Sequence, residues 1–123
     1  MTDLVRYPSP LSAPLSKAVR AGDFLFLSGQ TPKNADLTPF RGDIRAQTKN
    51  VLDAIAATLA EFELDLGSIV RATVWLSDIR HMGAMNEVYR SYFSAALPVR
   101  STVEAKLSQG VDIEIEVTAW APR

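Results

Sequence analysis

Apolar and polar positions along the chain change period several times, and each change marks an element. Residues 1 to 15 show no period and are punctuated by Pro8, Pro10 and Pro14, which predicts an extended arm. Ser16 to Arg20 reads as a short strand, and Ala21-Gly22-Asp23 as a turn. Phe24-Leu25-Phe26-Leu27 is a continuous apolar run, the pattern of a strand buried on both faces. Pro32, Asn34, Pro39 and Gly42 make residues 31 to 42 a loop. From Asp43, a helix N-cap candidate, Ile44, Val51, Leu52, Ile55, Leu59 and Phe62 recur at helical spacing, with Arg45, Lys49, Asp53 and Glu61 opposite. A strand follows from Ile69, in which Val70, Ala72, Val74 and Leu76 alternate with Arg71, Thr73, Trp75 and Ser77. Asp78 caps a second helix over roughly residues 79 to 94, with Met82, Met85, Val88, Tyr89, Tyr92 and Phe93 on its apolar side. Leu97-Pro98 breaks it. Two strands close the chain, Ser101 to Leu107 and Asp112 to Trp120, and the short Ser108-Gln109-Gly110 link between them predicts an antiparallel hairpin.

The order β-β-α-β-α-β-β predicts an α+β fold, a mixed sheet with two helices on one face, in a single domain over residues 1–123. In the last strand Ile113, Ile115, Val117 and Ala119 face the helices, so Glu114, Glu116, Thr118 and Trp120 face away. Thr73 and Trp75 join that second face. Two tryptophans on a face that would otherwise carry Lys and Glu predict packing against an identical sheet in a closed oligomer, although scattered surface tryptophans would look the same.

Composition narrows the chemistry. The net charge of -1 and pI near 5.8 provide no electrostatic footprint for nucleic acid and no basic segment for a membrane surface. There is no cysteine, and His81 is the one histidine, so cysteine-ligated or histidine-rich metal sites and thiolate nucleophiles are excluded. The N-terminus shows no signal-peptide pattern and no apolar run could span a bilayer, so a cytoplasmic location is expected.

Three positions are candidates for chemistry. Arg100 follows Pro98 at the start of a strand. Its guanidinium matches a carboxylate bidentately, or pairs with Glu114 or Glu116 across the expected hairpin. Strand parity sets Arg100 with Thr102 and Glu104, opposite Val103 and Ala105, which predicts that it leaves the helix-packed core. Glu114 either takes a proton from an attacking water or is a solvated strand residue. Ser28-Gly29 ends an apolar strand: a close backbone approach to a ligand, or a bulge. Asn86 and Tyr89 on the second helix read as structural, His81 as exposed, and Glu61, Glu63 and Asp65 as a solvated helix end.

Taken together, Ser28-Gly29-Gln30, Gln47-Thr48, Met85-Asn86-Glu87-Val88-Tyr89 with Tyr92-Phe93, Pro98-Val99-Arg100-Ser101-Thr102-Val103-Glu104 and Glu114-Ile115-Glu116 resemble, in order and spacing, the RidA family, also called YjgF/YER057c/UK114. The resemblance runs from about Pro14 to Trp120. It implies a chorismate-mutase-like fold, a homotrimer with sites in the clefts between subunits, and no metal or organic cofactor. It also implies hydrolysis of reactive enamines and imines such as 2-iminopropanoate and 2-iminobutanoate to 2-oxo acids and ammonia. On this resemblance Arg100 holds the substrate carboxylate, Ser28 and Gly29 line the site, and Glu114 handles the water. Leu15 and Thr102 are expected beside the substrate but depart from the family pattern. Leu15 stands where its deaminases carry a tyrosine, and Thr102 where they carry a cysteine. Two alternatives stay open: a subgroup deaminase with an aminomuconate-like substrate, and a non-catalytic, chaperone-like trimer that binds carboxylate metabolites. The acidic balance gives little support to ribonuclease activity.

Overall fold

Packing of the aliphatic strand faces under two helices sets the layers of the computed structural model, which describes residues 4–123. The elements are β1 (Leu4–Pro8), β2 (Ser16–Ala21), β3 (Phe24–Leu27), α1 (Ile44–Ala60), β4 (Ile69–Leu76), α2 (Met82–Tyr92), β5 (Val99–Glu104) and β6 (Ile113–Trp120). The six strands form one sheet in the order β1-β2-β3-β6-β4-β5. The predicted α+β architecture with two helices therefore stands.

α1 forms where its stripe predicts. Asp43 caps it, its side chain accepting from Ala46 N at 2.8 Å. Val51, Leu52, Ile55 and Leu59 are buried against Val74, Leu76, Ile113 and Ile115 from the sheet. Each such side chain contributes about 1.5–3 kcal/mol by leaving water. Gln47 is also buried, and its polar atoms are all answered. Its Nε2 donates to Gly42 O (2.7 Å) and Asp112 Oδ2 (2.9 Å), and its Oε1 accepts from Asp112 N (2.9 Å). Ser77 Oγ donates to the other Asp112 oxygen at 2.6 Å, so one polar knot ties α1 to the ends of β4 and β6.

Several expectations are corrected. The arm contains β1, antiparallel to β2, with a register shift at Tyr7/Pro8. Residues 1 to 3 of that predicted arm lie outside the described residues. Leu25 and Leu27 are buried, but Phe24 and Phe26 point outward and are exposed in the single chain, so β3 is covered on one face. Asp78 caps a 3-10 turn at Ile79–His81 that precedes α2, and His81 is half-buried. Glu61 pairs with Lys17 (2.5 Å) and Asp65 caps the turn at Leu66–Ser68, so this helix end is more than solvated charge.

The largest correction concerns β5. It makes no hairpin with β6. It pairs parallel with β4, through the α2 crossover, at the sheet edge, while β6 inserts antiparallel between β4 and β3. Arg100 is in register with buried Ala72, and Thr102 with buried Val74. Both therefore lie on the helix side, whereas Val99 and Val103 face outward and are exposed. The expected parity is reversed because an edge strand at the margin of the helix layer puts its polar residues, not its valines, on that side.

Candidate functional site

Two separate clefts are lined by Leu15, Ser28 and Gly29 and by Arg100, while Glu114 lies against Gly29 and Thr102 follows Arg100 along β5 without lining either cleft. The first is built around the end of β3. Ser28 N still donates to Lys17 O of β2 (3.1 Å), while Gln30 exchanges backbone hydrogen bonds with Ile115 of β6 (2.8 and 3.0 Å). Gly29 stands at this junction. A Cβ there would overlap Glu114 Oε2, so the glycine is what lets the carboxylate lie against the backbone. Ser28 Oγ donates to Ser16 O at 2.6 Å, which leaves its lone pairs to accept from a ligand N–H or water. Leu15, Ser28, Gly29, Gln30 and Lys33 line a cleft of about 600 Å³, and Leu15 is exposed at its wall.

Glu114 is half-buried on the sheet face away from the helices, as its parity predicts. Burial pushes its carboxyl above the ordinary glutamate range, and the neighbouring Glu116 charge adds to this, while Lys33 opposes it. A carboxylate so placed is a stronger base than an exposed one.

The second cleft, about 410 Å³, lies at the opposite edge between α2 and the start of β5, among Asn86, Tyr89, Phe93, Pro98 and Arg100. The Arg100 guanidinium lies over the Tyr89 ring, 4.8 Å from its centroid. Arg100 has no ion-pair partner among the described residues, so the expected alternative of a bridge to Glu114 or Glu116 is not made. Its donor fork is available to a ligand. Tyr89 is both core and cleft wall: it is buried, and its hydroxyl has no hydrogen-bond partner. Burial raises the Tyr89 pKa, opposed by Arg100. Thr102 follows Arg100 on the same face of β5, half-buried.

Leu15, Ser28, Gly29 and Glu114 are thus brought together, and Arg100 and Thr102 are not among them. Glu114 lies opposite Trp75, and Trp75 opposite Val103. Two strand spacings and three residue rises then separate Glu114 from Arg100 by roughly 14 Å, on opposite faces of the sheet. That outer face exposes Phe24, Phe26, Val103 and Trp120, with Trp75 half-buried, alongside the charged Arg71 and Glu116.

Lys33 is a cleft residue that the sequence reading did not single out, because a loop position has no periodicity to betray it. Its backbone is held by Asn50 of α1, which accepts from Lys33 N (2.9 Å) and donates to Lys33 O (2.9 Å). Its Nζ donates to Thr31 Oγ1 (2.8 Å) and Thr31 O (3.3 Å). Burial lowers the pKa of this ammonium, opposed by Glu114. Among the described residues no group of three or more His, Asp or Glu side chains is arranged to hold a metal.

Known proteins of similar sequence and fold carry different names. A family model described as endoribonuclease L-PSP matches residues 8–121. A RutC family protein of Pyrococcus horikoshii is 40% identical over 117 residues, which cover 92% of this chain and 90% of the relative. The 2-iminobutanoate/2-iminopropanoate deaminase of Escherichia coli K12 is 34% identical over 110 residues, 86% of each chain. The crystal structure of yeast Mmf1 superposes with a TM-score of 0.86 at 34% identity, covering 98% of this chain and 95% of the other. By sequence, by family model and by fold, this chain belongs to the RidA (YjgF/RutC) family.

Proposed function

We propose that this protein hydrolyses reactive enamines and imines of amino-acid origin, in sites shared between neighbouring copies of a homotrimer. The observation that carries the reading is the Glu114 carboxylate set against Gly29, desolvated, beside the free lone pairs of Ser28. The identity to an imine deaminase supports the reaction class.

In the proposed reaction Arg100 of a neighbouring copy holds the substrate carboxylate. Ser28 accepts from the substrate nitrogen and fixes the plane of the C=N bond. Glu114 takes a proton from water as the water oxygen bonds to the imine carbon. That proton passes to nitrogen to give the carbinolamine; Glu114 then takes the carbinolamine hydroxyl proton and delivers it to nitrogen as the C=O bond forms and the C–N bond breaks, so that ammonia and a 2-oxo acid leave. Nothing in this sequence needs a redox or metal step. The gain comes from holding water, base and carbon in line and from fixed charges at the carboxylate.

The division between copies is supported by the distance between Glu114 and Arg100 in one chain and by the apolar side chains exposed on the outer sheet face, which suit burial against identical sheets. The direct test generates 2-iminopropanoate and 2-iminobutanoate in place with an amino-acid oxidase and traps free imine with semicarbazide. The protein should lower the trapped fraction catalytically. An unchanged fraction, with 2-oxo acids still bound, would leave a carboxylate-binding protein instead.

A further inference from the structure

We infer that Lys33 forms a second anion subsite in the Leu15–Ser28–Gly29 cleft and selects an imino acid that carries a second carboxylate. This rests on the deaminase reading for the position of the reacting carbon beside Glu114.

The space comes first. A cleft of about 600 Å³ falls among pockets that hold drug-sized ligands, and a three- or four-carbon imino acid fills little of it. Its walls include Pro10, Leu11, Leu15 and Leu37, suited to a carbon skeleton rather than to a bare carboxylate.

The charges come second. Two cations line the cleft, Lys17 and Lys33. Lys17 is neutralised by Glu61 at 2.5 Å. Lys33 is half-buried, no carboxylate among the described residues stands within ion-pair distance of it, and its Nζ donates only to the neutral oxygens of Thr31. Glu114 acts on it through space, yet loss of water is the larger influence. An ammonium drawn partly out of water without a counter-ion is an unmet electrostatic demand, and a ligand carboxylate meets it with a charge-assisted hydrogen bond.

The support comes third. Asn50 grips the Lys33 backbone from both sides, and Lys33 pairs with Pro39 across the loop. The side chain therefore starts from a fixed base, and little freedom is lost when an anion binds.

Calorimetry on the full chain tests the subsite with 2-oxobutanoate and 2-oxoglutarate, a monoacid and a diacid of the product type. The diacid should bind at least about tenfold more tightly, the equivalent of one charge-assisted hydrogen bond. Lys33→Met should bring the ratio to about one, and Lys33→Arg should keep most of it. Equal affinities in the wild type, or a preference that survives Lys33→Met, overturns the subsite. The deaminase reading still stands in that case if the protein lowers the semicarbazide-trapped imine fraction. Conversely, a Lys33-dependent preference for the diacid together with indifference to Arg100→Ala supports the subsite and removes the clamp.

Discussion

The two clefts of this chain are built on opposite principles. Around Ser28 and Glu114 the backbone makes the space: a strand end, a bridge to β6 and a glycine leave room in which the Glu114 carboxylate lies. Around Arg100 a side chain is held by another side chain, the Tyr89 ring, at the start of an edge strand. The first cleft contains no arginine, and the base beside it, Glu114, reaches it only through Gly29 and Lys33. The second can hold an anion but contains no carboxylate. Arg100 and Glu114 stand at separate places in one chain, and the proposed site between copies would unite them.

Separating the copies is the harshest test of that contrast. Phe26→Asp puts a charge among the exposed apolar side chains of the outer face and should convert the proposed trimer to monomers by light scattering, with deaminase activity falling to background. A monomer that keeps full activity would refute the division of the site. Next come the two halves themselves. Glu114→Gln should cut turnover by about 10²–10⁴-fold. Arg100→Ala should weaken 2-oxo acid binding by about 2–5 kcal/mol, read by calorimetry. Chains carrying one substitution or the other, denatured and refolded together, should regain about a quarter of the wild-type activity by random assortment of neighbours. No recovery on mixing would mean that Glu114 and Arg100 serve the same copy.

A smaller effect lies in pH. Glu114 must be ionised to accept a proton, and its pKa is raised from 4.5, so kcat/KM should fall on acidification at a pH above that value. Lys33→Met removes the opposing charge and should move this limb higher. Glu116→Gln should move it lower. The same shift bears on stability: a carboxyl whose folded pKa is raised favours folding below its unfolded pKa, and that benefit is lost as pH rises through the folded value. Glu114→Gln should therefore be more stable than wild type near neutral pH, with the advantage shrinking in acid, as urea titrations would report. Gln47→Ala touches neither cleft. It strands Asp112 and should cost about 1–3 kcal/mol of unfolding free energy with the chemistry intact.

The parts of the fold that were legible are those in which one local pattern decides the outcome. The stripe of Val51, Leu52, Ile55 and Leu59 and the Asp43 cap specify α1 without reference to the rest of the chain. The alternation from Ile113 to Ala119 likewise puts Glu114 on the outer face. β1 was hidden because Pro8 and Pro10 resemble loop punctuation, yet a proline at the end of an edge strand costs no ladder hydrogen bond. The position of β5 was hidden because Ser108-Gln109-Gly110 has the length of a hairpin turn, and only the pairing of β4 with both β5 and β6 tells otherwise. The face of Arg100 was hidden for a second reason: parity against Val103 and Ala105 takes the aliphatic side as inward, and on this edge strand Val99 and Val103 face outward. The side-chain types of the site could be read from the sequence, but their division between two clefts belongs to strand order, which no local window contains.

Gly29 has a consequence for how variation in this chain should be judged. Residue 29 is a blank whose volume is occupied by residue 114, so the two positions behave as one letter written in two places. A methyl group added at 29 displaces the Glu114 carboxylate without altering Glu114. In a catalogue of substitutions the change to alanine looks the mildest available, and here it amounts to moving the base.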